Sequence, residues 1–427
     1  MSGHLLDDIA AAQAAGRPVG VTSVCSAHPT VLEVALRRAA DANTPVLIEA
    51  TCNQVNQDGG YTGLTPLVFR ERLLEQAADV GARSELVVLG GDHLGPNPWK
   101  HLPSSDAMER SEVMVAAFVE AGYTKLHLDT SIPCADDPPG ALPPAVVAER
   151  AGRLAAVAER VAGDAAAGLR YVIGTEVPVP GGESSGEHGI HVSTGEDVAE
   201  TVDLTRRAFD AHGASGAWPR VRAVVAQPGV EFSDREIFSY RSGQAAHLFD
   251  ALPGEPSMVL EAHSTDYQTG DALRALVHDH FAVLKVGPGL TFAYREAVFG
   301  LAAIEAELLG QDASGVREVL DRGMLTDPGY WQAFYPTDPE AARLARMYSR
   351  SDRSRYYWPR PEVKTALAAL TANLDARRLP DELVSQHLSW LRGGEPAGVE
   401  LEPLTVGSVL QAAVDRVLAT YDAATRP

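Results

Sequence analysis

The stretch VVLGGDHLGP, residues 87–96, joins an apolar segment to two glycines, an acid beside a histidine, and a glycine-proline stop. The apolar residues are typical of a buried strand, and the glycines and proline mark where such a strand ends. Asp92 and His93 therefore lie at a strand end, where neither side chain serves an apolar core. We predict that this pair belongs to a functional site.

Seven further apolar runs resemble this strand, and helical patterns lie between them. The predicted strands are 19–24, 45–50, 85–89, 125–128, 170–174, 221–226, 258–262 and 281–286. The predicted helices are 30–42, 66–80, 110–121, 146–166, 197–211, 242–252 and 272–278. Eight strand–helix units in about 290 residues predict an α/β fold, a TIM (β/α)8 barrel. A doubly wound sheet fits less well, because the sequence contains no GxGxxG or GxxxxGK[ST] motif.

Beyond Phe299 the composition changes to helix formers with scattered prolines. We predict that residues 1–300 form the barrel and that residues 301–427 form a helical extension packed on it. The extension is not expected to be an independent domain.

The bulk composition narrows the function. A formal charge of -21 argues against a nucleic-acid partner, since no basic excess is present to neutralise phosphates. The three cysteines follow no CxxC spacing, which indicates reduced thiols in a cytoplasmic protein. The amino terminus has no basic signal region, and no run of 18 apolar residues occurs, so no membrane association is expected.

Polar side chains follow most of the predicted strands, where a TIM barrel holds its reactive groups. They are Asn53, Asp92, His93, Asp129, Ser131, Glu176, Gln227, Glu231, His263, Ser264, Thr265 and Asp266, and Gly287 follows the last strand. Imidazoles and carboxylates from different strands are the ligands of a divalent metal site. His93, His263 and Glu176 are the candidate ligands, and Asp129 is either a further ligand or an outer partner. One such histidine alone is more often structural, so the prediction rests on their coincidence.

Asp92 is a candidate general acid or base, although an acid at this position could instead cap the next helix. Neighbouring residues of a strand point to opposite sides, so Asp92 is expected to face the substrate while His93 faces the metal. His127, His278 and His280 lie inside predicted elements and are interpreted as structural.

Two segments could bind an anionic substrate. The sequence GPGLT, residues 287–291, precedes a helix at the position where TIM barrels often bind phosphate, although its proline removes one donor. The segment SRSDRSRYYW, residues 349–358, concentrates three arginines and three aromatic residues. It either reaches the barrel rim or forms a subunit contact.

Several longer motifs together resemble one protein family. They are GGDHLGPNPW, IGTEVPVPGGE, QPGVEF, EAHSTDYQT, LKVGPGLTFAYREA and SDRSRYYWP. The sequence resembles the Z-type subunit family (GatZ/KbaZ) of class II D-tagatose-1,6-bisphosphate aldolase over nearly its whole length. That family is similar to class II fructose- and tagatose-bisphosphate aldolases.

The resemblance implies a TIM barrel that uses a divalent metal, usually zinc, with manganese or cobalt as alternatives. It assigns proton acceptance to Asp92, metal binding to His93 and His263, and both catalysis and metal binding to Glu176. Where those aldolases carry another ligand histidine, this chain has Gln227, which could coordinate more weakly through its amide oxygen. Those aldolases also have a glycine-rich phosphate-binding loop, and this chain has Ser264, Thr265 and Asp266 in its place.

The expected activity is retro-aldol chemistry at C4 of a ketose or ketose phosphate, giving aldol cleavage or C4 epimerisation. The alternative is a non-catalytic subunit that stabilises and activates a Y-type aldolase, and an oligomer is expected in either case. The residues predicted to bind the substrate are Asn53, Ser131, Glu183, Glu231, Ser264, Thr265, Asp266, Lys285, Gly287, Arg353, Arg355 and Tyr356.

Overall fold

A closed barrel of parallel strands forms the centre of the molecule. The computed structural model describes residues 3–174, 190, 192–254, 257–393 and 404–426. The barrel strands are β1 (Val21–Val24), β2 (Val46–Thr51), β3 (Val87–Leu94), β4 (Lys125–Leu128), β5 (Arg170–Ile173), β6 (Val221–Val225), β9 (Val259–Ala262) and β10 (Phe281–Val286). The barrel order is β1-β10-β9-β6-β5-β4-β3-β2, which confirms the predicted TIM barrel.

Helices surround the barrel and continue past it. They are α1 (Leu5–Ala14), α2 (Pro29–Ala42), α3 (Pro66–Asp79), α4 (Ser104–Glu120), α5 (Pro144–Ala162), α6 (Gly195–Ala211), α7 (Gly270–His278), α8 (Pro288–Leu309), α9 (Val316–Thr326), α10 (Pro339–Tyr348), α11 (Pro361–Asp375), α12 (Asp381–His387) and α13 (Val406–Thr425). Helix α8 runs through position 300, so no break in secondary structure marks the predicted domain boundary. No helix of the described residues is long and apolar enough to cross a lipid bilayer.

The amino-terminal helix fills one end of the barrel. Leu6 and Ile9 of α1 are buried in one apolar cluster with Val21 of β1, Val172 of β5 and Val259 of β9. Since these residues come from opposite sides of the barrel, α1 seals its amino-terminal end against water. The polar interior therefore lies toward the carboxyl ends of the strands.

One predicted helix is wrong. Between β6 and β9 the described chain forms a hairpin, β7 (Glu231–Phe232) with β8 (Ile237–Phe238), and a short 3-10 helix, Ala246–Ala251, where helix 242–252 was predicted. Gly243 has a φ of 78°, a left-handed conformation that an α-helix does not contain. Its N–H donates to the Asp279 carboxylate at 2.7 Å, which fixes that conformation.

The glycines of the opening stretch allow close approach of neighbouring chains. A Cβ atom on Gly90 would lie 2.7 Å from Cγ of Glu49, so glycine makes room for that side chain in the barrel. A Cβ atom on Gly95 would overlap the carbonyl oxygen of Asp129. Because that oxygen belongs to the backbone, it cannot rotate away as a side chain could.

We expect Gly95→Ala to lower the free energy of unfolding by about 3 kcal/mol, because the methyl group forces the β3 and β4 ends apart. Urea unfolding would measure the change. The control is Gly216→Ala, where the added methyl group meets no atom within 4 Å. This control should change stability by less than about 1 kcal/mol. Equal losses in the two variants would contradict the packing argument.

Candidate active site

Charged side chains from five strands fill the interior of the barrel. Lys125 Nζ lies 2.5 Å from Glu49 Oε1 and 2.8 Å from Glu261 Oε2. Lys285 Nζ lies 3.2 Å from Glu261 Oε1 and also pairs with Asp92. All five side chains are at most 5% exposed. Since isolated buried charges are costly, this network is stable only as a connected set.

Three imidazole rings meet above this network. The ring centroids of His93 and His127 are 4.9 Å apart, those of His93 and His263 are 4.9 Å apart, and those of His127 and His263 are 5.2 Å apart. Together with Asp92, each of these residues offers a ligand atom within 4.8 Å of the others. The four residues come from β3, β4 and the end of β9. They form the candidate metal cluster.

Each imidazole also bonds a carboxylate through one ring nitrogen. His93 Nδ1 lies 2.8 Å from Asp129 Oδ2, His127 Nδ1 lies 2.9 Å from Asp92 Oδ1, and His263 Nε2 lies 3.0 Å from Glu261 Oε1. A carboxylate accepts, so each bonded nitrogen donates, and in a neutral imidazole the other nitrogen keeps its lone pair. The carboxylate–imidazole–metal arrangement of metalloproteins has this pattern.

The backbone at His93 overturns the predicted alternation of side chains. His93 has a φ of 50°, in the left-handed region that β-strands avoid, and the pairing of β3 with β4 shifts register at this point. Asp92 and His93 therefore contribute to the same cluster and do not face opposite sides. The two-residue period applies only while the backbone remains extended, and β3 leaves that conformation at His93.

The electrostatics of the cluster favour a neutral imidazole at His263. Burial and the nearby Lys285 charge lower the pKa of His263 to about 3. Burial would lower the pKa of His93 as well, but Asp92 and Asp129 outweigh it and raise that pKa. Burial would raise the pKa of Asp92, yet His93 and Lys285 hold it well below its usual range. Asp92 is thus ionised at neutral pH.

The connected network carries an excess of negative charge. Its four carboxylates are Glu49, Asp92, Asp129 and Glu261, and its two ammonium groups are Lys125 and Lys285. Four negative charges against two positive ones leave a formal excess of two negative charges. A divalent cation would balance this excess.

His127 was predicted to be structural, but its side chain lies in the candidate metal cluster. It is fully buried, and its Nε2 has no hydrogen-bond partner among the described residues. The sequence contained one indication that His127 belongs to the site, because it is a polar side chain within an otherwise apolar strand segment. The same signal marks Glu49, Lys125 and Glu261, which the sequence analysis also missed.

A cleft above the cluster collects many of the predicted substrate-binding residues. The predicted residues that line it are Asn53, Ser264, Asp266, Lys285, Gly287, Arg355 and Tyr356. Asp92, His93 and His263 line the same cleft, so the cluster is reached from it. Of the arginine-rich segment, Arg355 and Tyr356 therefore lie at the barrel rim.

Other predicted substrate-binding side chains have structural contacts and do not line this cleft. Ser131 Oγ donates to Asp129 at 2.6 Å, and Thr265 Oγ1 donates to the Lys285 carbonyl at 2.7 Å. Arg353 lies 3.1 Å from the Phe334 ring centre. Glu231 is buried and accepts the N–H of its neighbour Phe232. The substrate roles predicted for these four residues find no support in their contacts.

Gln227 is engaged in its own loop. Its Oε1 accepts the N–H groups of Gly229 and Val230 at 2.8 and 3.0 Å. These bonds use both lone pairs of the amide oxygen, so Gln227 is not placed among the metal ligands. Asp129 was predicted to be either a further ligand or an outer partner. It hydrogen-bonds to His93 and is therefore an outer partner of the cluster. Glu176 and Glu183 lie outside the described residues.

Comparison with known proteins shows to which family the chain belongs. A family model described as D-tagatose-1,6-bisphosphate aldolase subunit GatZ/KbaZ-like matches residues 6–426. The chain belongs to this family. It is 49% identical to a D-tagatose 6-phosphate 4-epimerase of Agrobacterium fabrum, over 99% of this chain and 98% of that protein. It is 50% identical to the D-tagatose-1,6-bisphosphate aldolase subunit GatZ of Klebsiella pneumoniae, over 90% of each chain.

A solved structure of similar sequence has the same fold. A crystal structure from Sinorhizobium meliloti, described as "a probable tagatose 6 phosphate kinase", is 47% identical with a TM-score of 0.84. The match covers 95% of this chain and 100% of that chain. The barrel and its helical extension are thus common to this GatZ/KbaZ-like chain and a crystallised relative.

We expect Lys125→Met to destabilise the fold by about 3–5 kcal/mol, because it leaves buried carboxylates without their partner. Urea unfolding would measure the loss. The control is Arg207→Met, which breaks an ion pair with Asp203 whose two side chains are each 65% exposed. That change should cost less than about 1 kcal/mol. A similar cost in both variants would show that the buried network contributes nothing to stability.

Proposed function

We propose that this chain is a metal-dependent enzyme that acts at C4 of a ketose phosphate by retro-aldol chemistry. The observation that carries the proposal is the convergence of three carboxylate-bonded imidazoles and an ionised Asp92 below one cleft. The family membership supports the same conclusion, since relatives are named as an aldolase subunit and a 4-epimerase.

The cluster fits a divalent metal in its donor chemistry. His93, His127 and His263 would hold the ion, with Asp92 beside them. Neutral imidazoles suit zinc, and manganese or cobalt are alternatives. The buried Nε2 of His127, unpartnered among the described residues, and the excess negative charge both favour a bound cation. When bound, the cation would polarise the substrate carbonyl and an adjacent hydroxyl group.

Asp92 would accept the proton of the C4 hydroxyl. Its carboxylate lies at the base of the cleft and is ionised, so it can take a proton without first losing one. Lys285 and His127 hydrogen-bond to its Oδ1, whereas Oδ2 has only a longer contact of 3.6 Å with His93 Nε2 and would accept the substrate proton. As the O–H bond breaks, a C4 carbonyl forms, the C3–C4 bond breaks, and its electron pair remains on the enediolate fragment.

Two outcomes follow from this bond cleavage. Release of both fragments gives aldol cleavage. Rotation of the C4 aldehyde followed by bond formation on its other face gives the C4 epimer, with the proton returned from Asp92. Both outcomes use the same residues, so product analysis distinguishes them.

A Schiff-base mechanism through Lys285 is disfavoured by the charge network. Formation of a Schiff base requires a neutral amine. Burial would lower the pKa of Lys285, but Asp92, Glu49 and Glu261 outweigh it and raise the pKa well above its usual value. The amine therefore remains protonated.

A sugar-kinase activity is not proposed. The sequence contains no GxxxxGK[ST] motif for nucleotide phosphates. The crystallised relative carries a kinase name, but its name alone supplies no nucleotide site in this chain.

An accessory role is the second candidate, and the GatZ subunit name of the Klebsiella relative favours it. In that case the chain would stabilise and activate a Y-type aldolase without turnover of its own. Mixing purified chain with a Y-type aldolase would test this role. Equal activation by native protein and by His263→Ala, with no turnover by the chain alone, would support the accessory role over the catalytic one.

We expect about one divalent ion per chain after loading with zinc, manganese or cobalt, measured by elemental analysis. His127→Ala and His263→Ala should each weaken metal affinity by at least about tenfold in a chelator competition. The control is His278→Ala, whose side chain is 75% exposed. Unchanged affinity in both cluster variants would contradict the metal site.

We expect Asp92→Asn to reduce turnover about a thousandfold, because the amide cannot accept the hydroxyl proton. NMR analysis of products from D-tagatose 6-phosphate and D-tagatose 1,6-bisphosphate would measure it, and would separate triose phosphates from a C4 epimer. Asp203→Asn, on an exposed helix face, is the control and should retain full activity. Full activity in Asp92→Asn would rule out its catalytic role.

A further inference from the structure

Residues 287–290, at the amino-terminal end of helix α8, offer no free backbone donor. This is the position, after the last barrel strand, where TIM barrels often bind phosphate. Gly287 and Gly289 donate their N–H groups to Asp266 Oδ1 at 3.0 and 2.7 Å. Pro288 has no N–H, and Leu290 donates to the Gly287 carbonyl at 3.1 Å. A carboxylate of the protein itself thus lies where the phosphate would bind.

Asp266 is held firmly in this position. It is 2% exposed, and a Cβ atom on Gly289 would lie only 3.0 Å from its Oδ1. The preceding Ser264 and the following Tyr267 have φ values of 52° and 65°, which turn the loop toward the helix. Thr265 between them accepts a hydrogen bond from Tyr421 of α13 at 2.7 Å. The loop is therefore anchored on both sides of the carboxylate.

The charge of Asp266 remains at neutral pH. Burial raises its pKa to about 6, although the N–H groups of Gly289 and Gly287 lower it. Above pH 7 the group is mainly a carboxylate. A phosphate brought to this end of α8 would meet a fixed negative charge and would find the donors already used.

Two cationic side chains are described in the lining of the cleft, and only one of them is available for an anionic substrate. The cationic side chains that line it are Lys285 and Arg355. Lys285 is paired with three carboxylates. The described hydrogen bonds of Arg355 go to neutral oxygens, namely the Ser351 and Asp352 carbonyls and the Tyr356 hydroxyl. Arg355 therefore retains its charge for a ligand.

We propose that Asp266 is a specificity-determining residue that fills the second phosphate position, so that the cleft accepts a ketose with a single phosphate group. The position at the start of α8 takes no phosphate, and the single phosphate group of the substrate pairs with Arg355. This inference rests on the proposed function, because it names the substrate class of the same cleft. It favours the monophosphate over the bisphosphate as substrate.

The test uses ligands that cannot react. A hexitol 6-phosphate and a hexitol 1,6-bisphosphate lack the carbonyl that cleavage needs, so their binding is independent of turnover. Calorimetric titration of the metal-loaded protein at pH 7.5 would give both affinities. We expect the monophosphate to bind at least tenfold more tightly than the bisphosphate.

Substitution of Asp266 should change this ratio. We expect Asp266→Ser, which frees the Gly287 and Gly289 N–H groups, to reduce the preference at least tenfold through tighter binding of the bisphosphate. Asp266→Asn removes the charge but keeps an acceptor, so it should give an intermediate ratio. The control Asp164→Ser removes an exposed acid and should leave the ratio unchanged.

Three results would overturn the proposal. They are equal or tighter binding of the bisphosphate by the native protein, no binding of either ligand, and an unchanged ratio in a folded Asp266→Ser protein. If Asp266→Ser does not fold, the ratio of the native protein still decides. If the protein shows the expected binding ratio but no turnover, the proposed function is wrong and the preference for a single phosphate group remains.

Discussion

The pairing of two buried lysines with carboxylates from other strands is the interaction on which the rest of the site depends. Lys125 and Lys285 connect β4 and β10 to acids on β2, β3 and β9. Such charges are tolerable only when every member has partners, so the network fixes the relative position of these strands. The barrel interior thereby becomes a rigid base for the imidazoles above it.

The same network sets the chemical state of each group above it. Lys285 keeps Asp92 ionised and helps to keep His263 neutral, while Asp129 orients His93. A fixed carboxylate and neutral imidazoles are the states that metal binding and proton acceptance require. The protein thus prepares an ionised Asp92 and a neutral His263 before any ligand arrives.

Much of the fold could be predicted from the sequence, because apolar runs and helical periods report burial directly. All of the barrel strands were found this way, and so was the convergence of Asp92, His93 and His263. Pattern reasoning failed where long-range contacts decide. The φ of His93, the position of His127 in the candidate cluster and the carboxylate at Gly287 each depend on strands distant in sequence. A one-dimensional pattern contains no information on such contacts.

The bond from Tyr421 to the loop of Thr265 connects the last helix of the chain to the cleft. Helix α13 also packs against α2, α7 and α8, so the bond connects the loop of Thr265 to several helices around the barrel. During synthesis on the ribosome, the eight strands emerge well before this helix. The loop that carries Asp266 therefore gains its final support only after α13 has left the ribosome. In a nascent chain, the barrel can therefore close before the cleft is fully ordered.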